Sequence, residues 1–212
     1  MNILVVAGAN PDTWPTMDLT AFDYFVGVDR GGLFLTERGY PLTLAVGDFD
    51  SLSASEKESV LSKAGKVLES QPEKDDTDTQ LALQSVFEQF PEAEVTLIGA
   101  TGGRLDHLLS NLWLGLEPRF QPFLSRFVLR DKQNSLRYFT PGEYRVYKEP
   151  EMKYLAYCCL TPVNELSLFE SKYLLDKQDI PYPYSYASNE FVSDTASFSF
   201  SEGLIAVIQS KD

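Results

Sequence analysis

The chain has 212 residues, and its 31 Asp and Glu residues outnumber its 18 Lys and Arg residues, which gives a formal net charge of −13 at pH 7. A surface this acidic repels nucleic-acid phosphates and anionic lipid, so we expect neither a nucleic-acid nor a membrane partner. The N-terminal residues lack the basic segment of a signal peptide, and no run of about 18 apolar residues predicts a membrane span. We therefore expect a cytoplasmic protein.

Apolar segments in the first half of the chain predict the strands of a mostly parallel sheet. They show little alternation of apolar and polar residues, which is typical of strands covered on both faces. The predicted strands are 3–7, 24–28, 42–46, 66–69 and 95–98. Helical periodicity predicts helices over 53–64, 78–90 and 105–116. This order of elements predicts an open α/β sheet flanked by helices.

The second half of the chain predicts a small all-β sandwich. Short apolar segments alternate there with turn residues, and no long helical pattern occurs. The predicted strands are 126–130, 135–139, 144–148, 154–160, 166–169, 173–175, 196–200 and 204–209. Proline and aromatic residues at 180–186 predict an ordered loop. We place the two domains at 1–122 and 123–212.

Acidic residues follow the predicted strands where a parallel sheet binds its ligands, beyond the carboxyl ends of the strands. Asp29 follows one strand, and Asp48 and Asp50 follow the next. Two carboxylates one residue apart suit Mg²⁺, which prefers oxygen ligands and is often shared with substrate phosphates. Asp78, with Asp75 nearby, would complete the acidic wall, although Asp is also common at helix N-termini for capping alone.

The sequence GATGGRLDH at 99–107 has the character of a phosphate-binding loop. Gly102 and Gly103 allow close approach of the backbone, Arg104 offers a fork for phosphate oxygens, and a predicted helix begins directly behind them. The segment 99–107 does not have the sequence of a Walker A loop. His107, the only histidine in the sequence, fits a structural role as well as a catalytic one. Acids for a metal and an Arg–Gly loop for phosphates together predict metal-assisted phosphoryl transfer.

Four motifs in this order, GVDRGG, GDFDS, KDDTDTQLAL and GATGGRLDH, resemble the bacterial thiamine pyrophosphokinase (thiamine diphosphokinase) family. The later segments LSLFESKYLL and YASNEF are similar to that family's late motifs. The resemblance implies that the thiamine hydroxyl attacks the β-phosphorus of ATP, giving thiamine diphosphate and AMP with Mg²⁺ as cofactor. It also implies a homodimer with the site between subunits, in which 1–122 binds ATP and Mg²⁺ and 123–212 binds thiamine and dimerises.

The resemblance also assigns site residues. Asp48, Asp50 and Asp78 would be the metal ligands and, with Arg104 and Asp106, the catalytic residues. The remaining binding residues that it implies are Asp29, Gly31, Gly32, Lys74, Asp75, Thr101, Gly102, Gly103, Ser167, Tyr173, Ser188 and Asn189. Of these, Tyr173 would stack on thiamine, a flat cation that an aromatic face attracts. The sequence departs from the family pattern at Arg30 and at Glu170-Ser171.

Two alternatives stay open at this point. DFDSL resembles the nucleophile loop of haloacid-dehalogenase-like Mg²⁺-dependent phosphatases, but here it follows about the third strand rather than the first. A covalent aspartyl-phosphate would favour that class. The other alternative is a non-catalytic thiamine or nucleotide sensor, for which an acidic metal wall has no use.

Overall fold

The computed structural model describes residues 1–70 and 75–212, and the chain divides into two units, Met1–Lys132 and Gln133–Asp212. The boundary at 122/123 and the roles given to each side of it stay predictions. Within the described residues, no helix has the length and apolar character that a membrane crossing requires.

Parallel strands form the sheet of the first unit, in the order β6-β5-β1-β2-β3-β4. Their bounds are Asn2–Val6 for β1, Tyr24–Val28 for β2, Leu42–Gly47 for β3, Ala64–Glu69 for β4, Glu94–Ile98 for β5 and Phe127–Arg130 for β6. The chain builds the sheet outward from β1 to β4 and then returns to the other side of β1 with β5. The strand order therefore reverses between β1 and β5, and such a switch point opens a crevice at the carboxyl edge.

The last strand of this sheet differs from its prediction. Segment 126–130 was expected in the all-β domain, but β6 pairs in parallel with β5 and belongs to the first unit. The buried sequence FVLR explains the difference, because it has the unalternating apolar character of a strand covered on both faces.

The helices of the first unit are α1 (Arg30–Glu37), α2 (Ala54–Lys63), α3 (Asp78–Gln89) and α4 (Leu105–Leu112). A capping box at Ser53 starts α2: Glu56 N–H donates to Ser53 Oγ, and Ser53 N–H donates to the Glu56 carboxylate. The helix predicted over 105–116 ends at Leu112 and gives way to a 3-10 turn, Leu114–Leu116.

Helix α1 is missing from the sequence prediction, because its two glycines resemble a turn. The structure gives them a packing role: a Cβ on Gly31 would lie 1.9 Å from the Val6 carbonyl oxygen, and the Gly32 Cα lies 2.3 Å from where a Cβ on Gly27 would be. Without side chains at these positions, the first turn of α1 approaches β1 and β2 closely.

The second unit is a sandwich of two antiparallel sheets, as predicted. One sheet has the order β12-β9-β14-β7 and the other β11-β10-β13-β8. The bounds are Asn134–Phe139 for β7, Gly142–Tyr147 for β8, Tyr154–Cys159 for β9, Val163–Phe169 for β10, Leu175–Ile180 for β11, Tyr184–Glu190 for β12, Thr195–Phe200 for β13 and Ile205–Ser210 for β14. Buried side chains of both sheets, among them Leu155, Tyr157, Leu166 and Phe198, share one core.

Two local predictions in this unit are wrong. The segment predicted as a loop at 180–186 contains the start of β12, whose alternating tyrosines pair with β9. The strand predicted at 173–175 is a turn that leads into β11, which leaves Tyr173 outside the ladder.

Candidate active site

Three carboxylates meet at the carboxyl edge of the first sheet. Asp29 follows β2, Asp48 follows β3 and Asp78 is the first residue of α3. One oxygen from each lies within 4.8 Å of the other two, and all three side chains are half-buried. We call these residues the acidic triad. Its membership differs from the predicted metal set, Asp48, Asp50 and Asp78, by the exchange of Asp50 for Asp29.

Asp29 holds its place through an unusual backbone. Its φ of 47° and ψ of −117° lie in a region that glycine prefers, and strain of this kind collects at functional sites. Oδ1 of Asp29 accepts a hydrogen bond from Phe49 N–H at 3.3 Å. The same atom would lie 1.9 Å from a Cβ on Gly47, whose φ is +146°. Gly47 therefore provides the space in which the Asp29 carboxylate turns toward β3.

The loop after β3 is anchored by the residue between its two aspartates. Phe49 is 1% exposed and adopts a φ of 59°. Lys57 of α2 donates to the Asp48 carbonyl oxygen at 3.1 Å and pairs with Glu69 at the same distance. The Asp48 carboxylate accepts from Asp50 N–H at 3.0 Å, while Asp50 itself is exposed. Burial of Phe49 thus points the Asp48 carboxylate toward Asp29 and Asp78 and leaves Asp50 facing solvent.

Asp78 is oriented from two sides. The hydroxyl of Ser70, directly after β4, donates to Asp78 Oδ1 at 2.6 Å. On the helix side, Thr77 and Gln80 form a capping box that fixes the first turn of α3. Ser70 is 9% exposed and is absent from the residues predicted for the site. Its only signal in the sequence is its place at the end of a predicted strand.

A cavity of about 350 Å³ opens beside the triad, a volume within the range of small-molecule sites. It lies at the switch point, because its walls include Ala7–Ala9 after β1 and Gly99–Thr101 after β5. Two members of the triad, Asp29 and Asp78, contribute to its lining. The other lining residues are Val28, Arg30, Ser51, Thr77, Thr79, Gly103, Arg104, His107 and Asn111.

The predicted phosphate loop forms one wall of this cavity. Asn111 of α4 donates to the Ala100 carbonyl oxygen at 2.9 Å, and Thr101 Oγ1 donates to Asp131 at 2.7 Å. These bonds anchor the two residues directly before the exposed pair Gly102-Gly103, of which Gly102 has a φ of +78°.

Arg104 and Asp106 are both exposed and form a two-bond ion pair. Hydrogen bonds from Arg104 hold the pKa of the Asp106 carboxyl below its usual range, and the same bonds raise the pKa of Arg104. Asp106 is therefore a carboxylate at neutral pH, and it occupies two of the Arg104 nitrogens that could otherwise bind an oxyanion.

Arg30, where the sequence departs from the family pattern, braces the loop after β3. Its guanidinium donates to the Ser51 carbonyl oxygen and lies 3.4 Å from Glu56 of α2. The departure thus adds a cation to the cavity wall without displacing a carboxylate of the triad.

In the second unit, a buried amide presents an exposed aromatic ring. Asn189 is 2% exposed, accepts from Tyr173 N–H at 2.9 Å, and donates to the Tyr173 carbonyl oxygen and to Ser171 Oγ. Tyr173 is 58% exposed, and the Lys172 ammonium lies 5.5 Å from its ring centre while pairing with Glu190. The turn is thus fixed while the ring stays open to solvent.

The remaining predicted residues have varied surroundings. Ser167 is buried in β10 and accepts from Lys177 N–H at 3.0 Å, whereas Ser188 is exposed at a φ of 60°. Gly31 and Gly32 are buried in α1, Asp75 is exposed, and Lys74 lies outside the described residues. The binding roles of all these residues stay predictions.

Comparison with known proteins agrees with both units. Residues 18–123 match the model of the thiamin pyrophosphokinase catalytic domain, and residues 143–205 match that of the thiamin pyrophosphokinase vitamin B1 binding domain. A curated thiamine pyrophosphokinase of Bacillus subtilis (strain 168) is 33% identical over 219 residues, which cover 99% of each chain.

Solved structures extend this likeness to the whole fold. The crystal structure of a thiamin pyrophosphokinase family protein from Enterococcus faecalis is 60% identical, with a TM-score of 0.98 and complete coverage of both chains. That of a thiamin pyrophosphokinase from Geobacillus thermodenitrificans is 34% identical, with a TM-score of 0.82 over 100% of this chain and 98% of the other.

The parallel sheet with its acidic cavity and the antiparallel sandwich define an α/β phosphotransferase with a β domain. The chain belongs to the thiamin pyrophosphokinase family. Its reaction is that of a thiamine diphosphokinase, which transfers the pyrophosphoryl group of ATP to the hydroxyl of thiamine and yields thiamine diphosphate and AMP. The phosphatase and sensor alternatives are not favoured.

Proposed function

We propose that the acidic triad is the Mg²⁺ site of this diphosphokinase and that ATP occupies the cavity beside it. The observation that carries the proposal is the convergence of Asp29, Asp48 and Asp78 from three separate elements. Carboxylates in such proximity repel one another, so a bound cation would stabilise the arrangement.

The donor set fits Mg²⁺. Carboxylate oxygens are its preferred protein ligands, and two ligands on opposite sides of the ion lie about 4.2 Å apart. The triad oxygens lie within 4.8 Å of one another and would have to draw closer on binding, because ligands at adjacent positions of an octahedral ion lie only about 3.0 Å apart. We propose Asp48 and Asp78 as ligands with Asp29 as the third. Asp50 would have to turn inward from solvent to join them.

The other residues of the cavity would bind and align the substrates. Bound Mg²⁺ would neutralise phosphate charge and align the diphosphate for in-line displacement. The backbone at Gly102 and Gly103 and the Arg104 guanidinium would hold the phosphate oxygens. Asp106 would lie near the reacting hydroxyl, paired with Arg104 until the phosphates arrive.

Thiamine binding would depend on the second unit. Tyr173 offers an exposed ring to a flat cation, and Asn189 fixes the turn that carries it. The acidic character of the triad adds attraction for a positively charged substrate. We further propose a cytoplasmic homodimer, in which Tyr173 of one chain and the triad of the other chain share an active site.

The test of the reaction is an omission experiment. The purified protein is incubated with ATP, Mg²⁺ and thiamine, each omitted in turn, and the products are separated by chromatography and identified by mass. Equimolar AMP and thiamine diphosphate that require all three support the proposal. ADP or free phosphate in their place would contradict pyrophosphoryl transfer, and thiamine binding without product would indicate a sensor.

The test of the triad uses isosteric amides. We expect Asp48→Asn and Asp78→Asn to lower kcat about 100-fold or more, because each removes a charge that holds the cation. Glu88→Gln is the matched control, since it makes the same change on the exposed surface of α3 far from its first turn. Full activity of an Asp48→Asn or Asp78→Asn enzyme would remove that carboxylate from the metal site.

The test of the shared site is complementation. Asp78→Asn chains and Tyr173→Ala chains are each expected to be weakly active. An equal mixture that exchanges subunits would contain mixed dimers with one intact site, so about a quarter of wild-type activity should return. No recovery, in a mixture shown by mass to contain mixed dimers, would contradict a site shared between chains.

A further inference from the structure

Arg119 lies at the centre of a polar network at the start of α3. Its two terminal nitrogens each donate to one oxygen of Asp76 at 2.7 Å, in the parallel geometry that fits guanidinium to carboxylate. The guanidinium also donates to Glu117 at 2.8 Å and to Gln84 at 3.0 Å, and a second guanidinium nitrogen lies 2.6 Å from the same Glu117 oxygen. The network therefore joins a loop after α4 to residues more than 30 positions earlier in the chain.

The network holds residues on both sides of Asp78 along the backbone. Asp76 lies two residues before Asp78 and is bound by Arg119 directly. Gln80 lies two residues after it, and its Nε2 donates to Glu117 Oε1 at 2.6 Å. The other end of the same Gln80 amide accepts from Thr77 N–H, which closes the capping box of α3. Arg119 thus fixes the backbone segment from which Asp78 projects.

Arg119 is not among the residues that line the cavity proposed for ATP, so we assign it no direct contact with phosphate. Its side chain is only one-third exposed, and its guanidinium lies over the Phe120 ring at 4.8 Å. Unlike the exposed Arg104, which has one carboxylate partner, Arg119 is held by two carboxylates and the Gln84 amide. Its contacts instead suit the support of a neighbouring metal ligand, a role that outer residues commonly have.

We propose that Arg119 is a positioning residue that holds Asp78 in register with Asp29 and Asp48 through Asp76, Glu117 and Gln80. The proposal rests on the proposed role of the triad as the metal site. It differs from a general stabilising role in what it predicts: loss of Arg119 weakens cation binding, while thiamine affinity stays unchanged.

The experiment compares Arg119→Ala and Arg119→Lys with Arg126→Lys. Arg126 is a matched control, because it also bonds a segment next to α3, but the one after its C-terminal end, through the Pro91 carbonyl oxygen and Glu92. Mn²⁺ affinity is measured without substrates by the loss of the free-ion electron paramagnetic resonance signal. The Mg²⁺ concentration for half-maximal activity, the KM for thiamine and the thermal midpoint complete the comparison.

We expect Arg119→Ala to weaken Mn²⁺ binding about 10-fold to 100-fold and to raise the Mg²⁺ requirement in parallel. Arg119→Lys should fall between Ala and wild type, because an ammonium keeps the charge but loses the two-bond fork. Arg126→Lys should leave both the Mn²⁺ affinity and the Mg²⁺ concentration for half-maximal activity unchanged. No variant should alter the KM for thiamine.

Unchanged Mn²⁺ affinity in a folded Arg119→Ala protein would overturn the proposal. If that variant does not fold, Glu117→Gln is used instead, because Glu117 links Arg119 to Gln80. Unchanged Mn²⁺ affinity in the Glu117→Gln protein would likewise overturn the proposal. Wild-type protein that binds no Mn²⁺ at the triad would instead refute the metal site itself, so the two failures are distinguishable.

Discussion

Substitution of Gly47 tests how the fold places Asp29. The backbone of Gly47 at φ +146° is one that other residues reach at a cost of about 1–3 kcal/mol. A Cβ there would also lie 1.9 Å from Asp29 Oδ1, an overlap that adds about 1–3 kcal/mol of strain. We therefore expect Gly47→Ala to lower the free energy of unfolding by about 2–6 kcal/mol. Displacement of the Asp29 carboxylate should also raise the Mg²⁺ requirement.

A double-mutant cycle separates these two contributions. In an Asp29→Ala background the overlapping oxygen is gone, so the penalty of Gly47→Ala should shrink by about 1–3 kcal/mol. Gly39→Ala serves as the control, because Gly39 also has a positive φ, +74°, but its Cβ would meet no atom within 4 Å. That variant should cost about 1 kcal/mol and keep full activity. An unchanged penalty in the Asp29→Ala background, measured by urea unfolding, would refute the reasoning.

Other predictions concern the hydrogen bonds around the two binding regions. Ser70→Ala removes the donor to Asp78 and should raise the half-saturating Mg²⁺ concentration about 10-fold at nearly constant thermal midpoint; an unchanged Mg²⁺ titration would contradict it. Asn189→Asp loses the amide donor to the Tyr173 carbonyl and should raise the KM for thiamine about 10-fold with kcat retained; a changed kcat alone would contradict it. Hydrogen bonds at the α2 cap lower the pKa of Glu56, so its stabilising effect is complete above about pH 4.3 and lost as pH falls through the lowered pKa. Glu56→Gln should therefore reduce the loss of unfolding free energy as pH falls. The same loss at acid pH in the variant and the wild type would contradict this prediction.

The parts of the fold that follow from local pattern are predictable from the sequence. Strands β1 to β3 and β5 are apolar runs that end in glycine or aspartate, and the pattern also predicts their parallel pairing. Helices α2 and α3 carry capping boxes that mark their first residues. The motif resemblance, rather than periodicity, supplied the reaction.

The parts that depend on close tertiary contact are not visible in that pattern. Asp29 replaces Asp50 in the triad because a strained backbone and the missing side chain at Gly47 let it turn, and burial of Phe49 directs Asp50 outward. In the sequence the glycines of α1 resemble a turn, and only the structure shows that Gly31 lets the helix approach Val6 closely. Arg119 and Ser70 act through partners 43 and 8 residues away, which spacing along the chain does not reveal.

The most direct test of the account is the location of the cation. Crystals grown with Mn²⁺ and a non-hydrolysable ATP analogue would give an anomalous difference peak at the ion. The account predicts a peak about 2.2 Å from oxygens of Asp29, Asp48 and Asp78, within reach of the analogue's phosphates. A peak bound by Asp50 without Asp29, or one outside this group of carboxylates, would contradict it.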